Sequence, residues 1–202
     1  MAETDTAKTT HPLLKKLDEL TYGLIYPAFL GAMIYDIAQG IAEKGQLRGT
    51  ALVICFMIVI LNALDYMHLF ADMKEVVKVR FHHFKGPVYI FCDIAGSCCF
   101  FISFLLIKYQ HSFWAMILIG VVPGLTAIYK QTYAVSDKDR RFATRYGIAF
   151  GLLTALGACI FSCDCMILPF LVFFVGLEVL VYFFYIFFLF PLYKSKNPDE
   201  GY

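Results

Sequence analysis

Apolar residues fall into six long runs, at 20–41, 50–70, 87–107, 112–129, 145–163 and 166–192, separated by short polar stretches. A bilayer-spanning helix needs about 20 predominantly apolar residues. The pattern therefore predicts an all-α, polytopic membrane protein, a six-transmembrane-helix bundle. Residues 1–19 and 193–202 form tails around a 20–192 transmembrane domain, with no room left for a separate soluble unit. The fourth run is short and carries Gly120, Pro123 and Gly124, which predicts a kinked helix. The sixth is long, rich in Phe and apolar all round, as expected of a tilted, lipid-facing helix.

The cations orient the spans. Lys8, Lys15 and Lys16 precede the first run, Lys74, Lys78, Arg80 and Lys85 follow the second, and Lys130, Lys138, Arg140, Arg141 and Arg145 follow the fourth. Lys194 and Lys196 follow the sixth, and only Lys44, Arg48 and Lys108 fall on the other side. By the positive-inside rule, both termini are cytoplasmic. The first run begins near residue 20 without a small-residue cleavage site, so it reads as a span rather than a leader. Ahead of it, Leu13, Leu14, Leu17 and Leu20 share one face of a short interfacial helix, with Thr10 as N-cap and Pro12 in the first turn. A helix that docks a partner is the alternative.

Composition agrees with the pattern. Of 202 residues, 60% are apolar and 16% charged, against about 45–50% and 25% in soluble domains. Intrinsic disorder is excluded by the same figures. The net charge of +1 provides no field for nucleic acid.

Inside a bilayer, small residues mark close helix approach. Gly147, Gly151, Ala155, Cys159 and Cys163 recur every four residues in the fifth span, as do Ala28, Ala32, Asp36 and Gly40 in the first; Cys92, Gly96, Cys99 and Ser103 form a similar stripe in the third. These stripes are expected to pack within the bundle or to form a self-association face. Tyr35-Asp36-Ile37-Ala38 and Cys92-Asp93-Ile94-Ala95 echo each other, as transporter repeats do, but the echo is short and the fifth span lacks its acid.

Four acids lie within spans: Asp36, Asp65, Asp93 and Glu178. Each costs about 2.5–3.5 kcal/mol on insertion scales, so each needs an interior face and a partner. Asn62, Asp65, His68, Asp72 and Glu75 follow three- and four-residue steps, placing one polar stripe along the second span. With Asp93 across the second hairpin, this stripe is a candidate path for protons or cations. The competing reading makes Asp65 and Asp93 structural ties, protonated or hydrogen-bonded to each other and to tyrosines. Glu178 has Tyr182 at i+4 and Tyr185 at i+7 as expected donors.

His68, Asp72, His82 and His83, with Asp65 and Asp93, are weak metal-ligand candidates, since Asp-x-x-His on a helix is compatible with ligation. No cofactor is identified. Cys55, Cys92, Cys98, Cys99 and Cys159 read as small apolar residues, while Cys163 and Cys165 sit in an outer turn with CxC rather than CxxC spacing. The sequence carries no GxSxG, Walker A or dinucleotide fingerprint.

Three functions follow as expectations. The first is a small transporter or channel moving protons, cations or a small solute along the acid-lined path. The second is a non-catalytic membrane subunit or anchor acting through helix contacts, and the third an integral enzyme on a lipid-soluble substrate. Expected partners are the lipid bilayer, anionic lipid at the basic loops, and a homo-oligomer or membrane-complex partner.

Overall fold

The computed structural model describes residues 16–17, 19–42, 47, 49–80, 86–134, 136–161 and 167–195, with the side chains of 69–80, 86–89, 132–133 and 194–195 left out. Six helices long and apolar enough to cross a membrane make up the fold. They are α1 (Thr21–Ala42), α2 (Gly49–Arg80), α3 (Gly86–Lys108), α4 (Ser112–Tyr133), α5 (Asp137–Ile160) and α6, which runs through Ile167–Phe184, Tyr185–Leu189 and Phe190–Ser195. The chain is a multi-pass membrane protein by this measure. No strand occurs among the described residues. Successive helices alternate in direction, so α1 begins, α2 meets α3, α4 meets α5 and α6 finishes at one end of the bundle, called the near end below; the opposite end is the far end.

The hairpins α3–α4 and α4–α5 make the most extensive contacts, and α2 packs against α6. The buried face of α5 is Asp139, Ala143, Tyr146, Phe150, Thr154 and Gly157. Its steps of four, three, four, four and three average the helical repeat of about 3.6, so the face runs straight. The α6 face of Ile167, Leu171, Phe174, Glu178, Tyr182 and Tyr185 repeats the same steps. A π-helical turn at Tyr185–Leu189 then places Phe190, five residues on, beside Tyr185 on the buried side. Outside this face, Phe173, Leu180, Phe183, Phe184, Phe187 and Phe188 point outwards, so α6 has one buried face and one apolar outward face.

The same arithmetic divides the small-residue stripes into packed and outward-facing positions. A strict four-residue step overshoots one turn by about 40°. Gly147 is packed, and a β-carbon there would come 2.9 Å from Ala127 Cβ and the Pro123 carbonyl of α4. Gly151, Ala155 and Cys159 then drift onto the exposed side of α5. Ala28 and Ala32 are likewise exposed on α1, whose buried face is Tyr26, Met33, Ile37 and Gly40. In α3 the steps of four, three and four hold the line, and Cys92, Gly96 and Ser103 are buried.

Two boundaries also differ from expectation. α4 is one continuous helix of 22 residues containing Pro123. Its Gly120 is explained by contact, because an added β-carbon would overlap Thr154 of α5. α5 starts at Asp137 rather than 145: Ser136 is its N-cap, accepting a hydrogen bond from the Asp139 amide at 3.2 Å. The charged stretch read as loop is therefore the first two turns of a helix.

Candidate functional site

The near half of the bundle holds a buried layer of carboxylic acids and tyrosines to which all six helices contribute. Asp65 of α2 is its hub. Tyr26 of α1 donates to Asp65 Oδ2 at 2.8 Å, and Tyr182 of α6 donates to Asp65 Oδ1 at 2.7 Å. The Tyr26 hydroxyl also lies 3.1 Å from the backbone carbonyl of Asp93, so a single O–H spans α2 and α3. Tyr22 of α1 donates to Asp93 Oδ2. Tyr22 and Tyr26 stack at 5.8 Å, just where a π-helical turn at Thr21–Ile25 opens α1. The two π turns of the described chain thus both border this layer, a placement typical of π-bulges at sites.

Asp65, His68, Cys92, Asp93, Gly96, Val122, Leu125, Thr126, Tyr129 and Tyr182 line a partly open cavity offering about 20 Å³ to a water molecule. Room for one water takes roughly 10–15 Å³, and it needs two to four polar partners, which this lining provides. Of the α2 stripe, Asp65 and His68 therefore share this cavity with Asp93 of α3. His68 is buried, its ring edge-on to Tyr182, Tyr185 and Phe190 at 6.2, 5.3 and 4.7 Å. Asn62, one turn deeper, accepts from Ser97 of α3 at 3.3 Å, and its Nδ2 has no hydrogen-bond partner among the described residues.

Glu178 is also buried, but its expected donors are engaged elsewhere. Tyr182 turns to Asp65, and Tyr185 donates to Asp139 at 2.7 Å. The donor to Glu178 is Tyr146 of α5, at 3.2 Å on Oε1, and Oε2 has no partner among the described residues. Tyr146 stacks on Tyr182 at 6.2 Å, which sets Glu178 beside the hub without lining the cavity. Neither Asp65 nor Glu178 has a cation within ion-pair distance among the described residues.

Asp36 stands apart. It lies at the far end, where Lys108 holds it at 3.1 Å. Asp36 and Asp93, the paired acids of the sequence echo, thus have unrelated environments: a lysine for one, a tyrosine for the other.

One element of the layer escapes the sequence reading entirely. Lys130, placed there among the cations that follow the fourth run, and Asp139, which that reading does not single out, form an ion pair of 3.1 Å with neither side chain exposed. The Lys130 ammonium also lies over the rings of Tyr129, Tyr185 and Phe190 at 5.2, 5.8 and 5.2 Å. The signal that finds it is Ser136 followed by Asp137 and Asp139, a capped, acidic helix start.

The side chain of Asp72 and the residues His82, His83, Cys163 and Cys165 lie outside the described residues. Among the described residues no three His, Cys, Asp or Glu side chains converge as metal ligands would. No protein-family model, curated protein or solved structure matches the chain.

Proposed function

We propose that the chain is a small membrane transporter or channel whose cargo or coupling ion is the proton, relayed by the carboxyl groups of Asp65 and Asp93. The observation that carries this reading is their meeting on one cavity large enough for water, which His68, Thr126, Tyr129 and Tyr182 also line, with tyrosine hydroxyls donating to both carboxyl groups. Ionisable groups buried at membrane depth are expensive, and proton relays are a common reason for their presence. A carboxyl there releases a proton to a cavity water and takes one from the neighbouring group, while Tyr26 and Tyr182 keep the hydrogen-bonded chain continuous. A cavity of this size suits water and protons better than a solute. Glu178 is the next station towards the far end. Beyond it Phe174 and Leu171 are fully buried, so passage to the far side requires the helices to shift.

Proton flux into liposomes under an imposed pH gradient tests the reading. The wild-type chain should dissipate the gradient, and Asp65→Asn or Asp93→Asn should reduce flux to the level of protein-free vesicles. Tyr35→Phe, an exposed position on α1, should leave it unchanged. If both Asn variants fold and match the wild type, the relay reading is wrong.

A second reading, a non-catalytic membrane subunit, draws on the outward-facing Gly151, Ala155 and Cys159 of α5, which leave a shallow strip where another helix backbone approaches closely. It expects a homo-oligomer or a stoichiometric foreign partner on purification, and no flux by the isolated chain.

A further inference from the structure

The surroundings of Lys130 are unusual for a lysine. Lysine presents three N–H donors and is strongly hydrated in water. Here the side chain is completely buried, and Nζ sits 3.1 Å from Asp139 Oδ2 without the alignment of a hydrogen bond. The contact is ionic, and three aromatic rings from α4 and α6 supply the other close approaches. Asp139 is held in place from two sides: its amide is tied to the Ser136 cap, and its Oδ1 accepts from Tyr185. Several ring faces with one carboxylate are the chemistry by which proteins recognise alkylated ammonium ions, a cation–π contact strengthened by desolvation.

We propose that Asp139, Tyr129, Tyr185 and Phe190 form an alkylammonium-binding site that the chain fills with its own Lys130. The tethered cation acts as a built-in ligand and clamps α4, α5 and the end of α6 together. The site adjoins the cavity: Tyr129 lines both, and His68 lines the cavity while packing on Tyr185 and Phe190. The π turn of α6 is what makes the cage possible, because it brings Tyr185 and Phe190, five residues apart, to the same cation. This inference does not depend on proton transport.

Lys130→Ala removes the atoms of n-propylammonium and leaves the cage. The full-length variant, purified in detergent, should melt well below the wild type. Added n-propylammonium chloride should raise its melting temperature in a saturable manner, by roughly 5 °C or more, where equal sodium chloride does not. The wild type, already filled, should not respond. Asp139→Asn in the Lys130→Ala background should abolish the rescue. If Lys130→Ala does not fold alone, the same cation present throughout extraction should yield a monodisperse protein. The proposal is overturned by a Lys130→Ala protein as stable as the wild type, by a destabilised one that the cation does not rescue, by rescue that sodium chloride matches or that persists when Asp139→Asn is added, and by failure to fold even with the cation.

Discussion

Among the described residues a lysine–aspartate ion pair stands at each end of the bundle, and the two differ in everything but length. Both Lys108–Asp36 and Lys130–Asp139 measure 3.1 Å. At the far end, 13% of the lysine and 24% of the aspartate side chain are accessible, and the two tie α3 to α1 near their termini. At the near end neither side chain is exposed, three aromatic rings surround the ammonium, and a tyrosine fixes the carboxylate. The first pair sits where long side chains reach the interface by snorkelling, at little cost. The second has given up its hydration and needs every partner around it. The difference extends to the halves around them. Towards the far end the interior is apolar and depends on fit, as at Met116, Phe104 and Phe174, while the near half is a polar layer that depends on satisfied hydrogen bonds.

The largest effect should come from breaking the near pair from one side. Asp139→Asn leaves a buried ammonium without its counter-charge, a loss of about 3–5 kcal/mol by analogy with other buried pairs. Replacing both partners with apolar residues, as in Lys130→Met/Asp139→Leu, should recover most of that loss, since neither charge is then stranded. Denaturant unfolding in detergent micelles measures both. A single variant that costs less than the double one would mean that the pair is hydrated after all, and the contrast between the two ends would collapse.

How much of this the sequence shows depends on the kind of information each feature needs. The spans were legible, because length and hydropathy are properties of one helix. So was the placing of Asp65 and Asp93 on one cavity: they belong to one hairpin, and the three-residue steps of Asn62, Asp65 and His68 name the face. The tyrosine partners were not. Periodicity gives the angle of a side chain around its own axis but not the register between helices, so Tyr182 and Tyr185, assigned to Glu178 on the same helix, instead reach across to α2 and α5. Lys130 and Asp139 were missed because charges at helix ends read as loop, and only the Ser136 cap shows that the helix has already begun. The stripes of α1 and α5 divide between packed and outward-facing positions because a four-residue repeat looks like a face over two turns and leaves it over four.

The apolar half should answer to volume as the near half answers to charge. At Gly120 a β-carbon would lie 2.8 Å from Thr154 Cβ and Cγ2 and overlap Oγ1, so Gly120→Ala should destabilise by about 1–3 kcal/mol. Thr154→Ala in that background should restore much of the loss. Gly151→Ala, where nothing lies within 4 Å, should be neutral or gain up to about 1 kcal/mol from helix propensity. Melting temperatures of the four proteins decide the matter. A tolerated Gly120→Ala would mean that α4 and α5 can part without cost, and that fit does not govern this half.

The smallest effect should come from the far pair. Asp36→Asn removes its charge while keeping its shape, and a partly exposed pair of this kind contributes about 0.2–1 kcal/mol. What distinguishes it is salt. Its attraction runs partly through solvent, where the screening length falls from about 10 Å at 0.1 M to about 3 Å at 1 M. The stability difference between wild type and Asp36→Asn should therefore shrink as sodium chloride rises, while the difference between wild type and Asp139→Asn should hold, because ions do not reach a pair with no exposed surface. Unfolding both variants across a salt series gives two slopes. Equal slopes would show that the two pairs share one dielectric environment, and that the rings around Lys130 do not keep it dry.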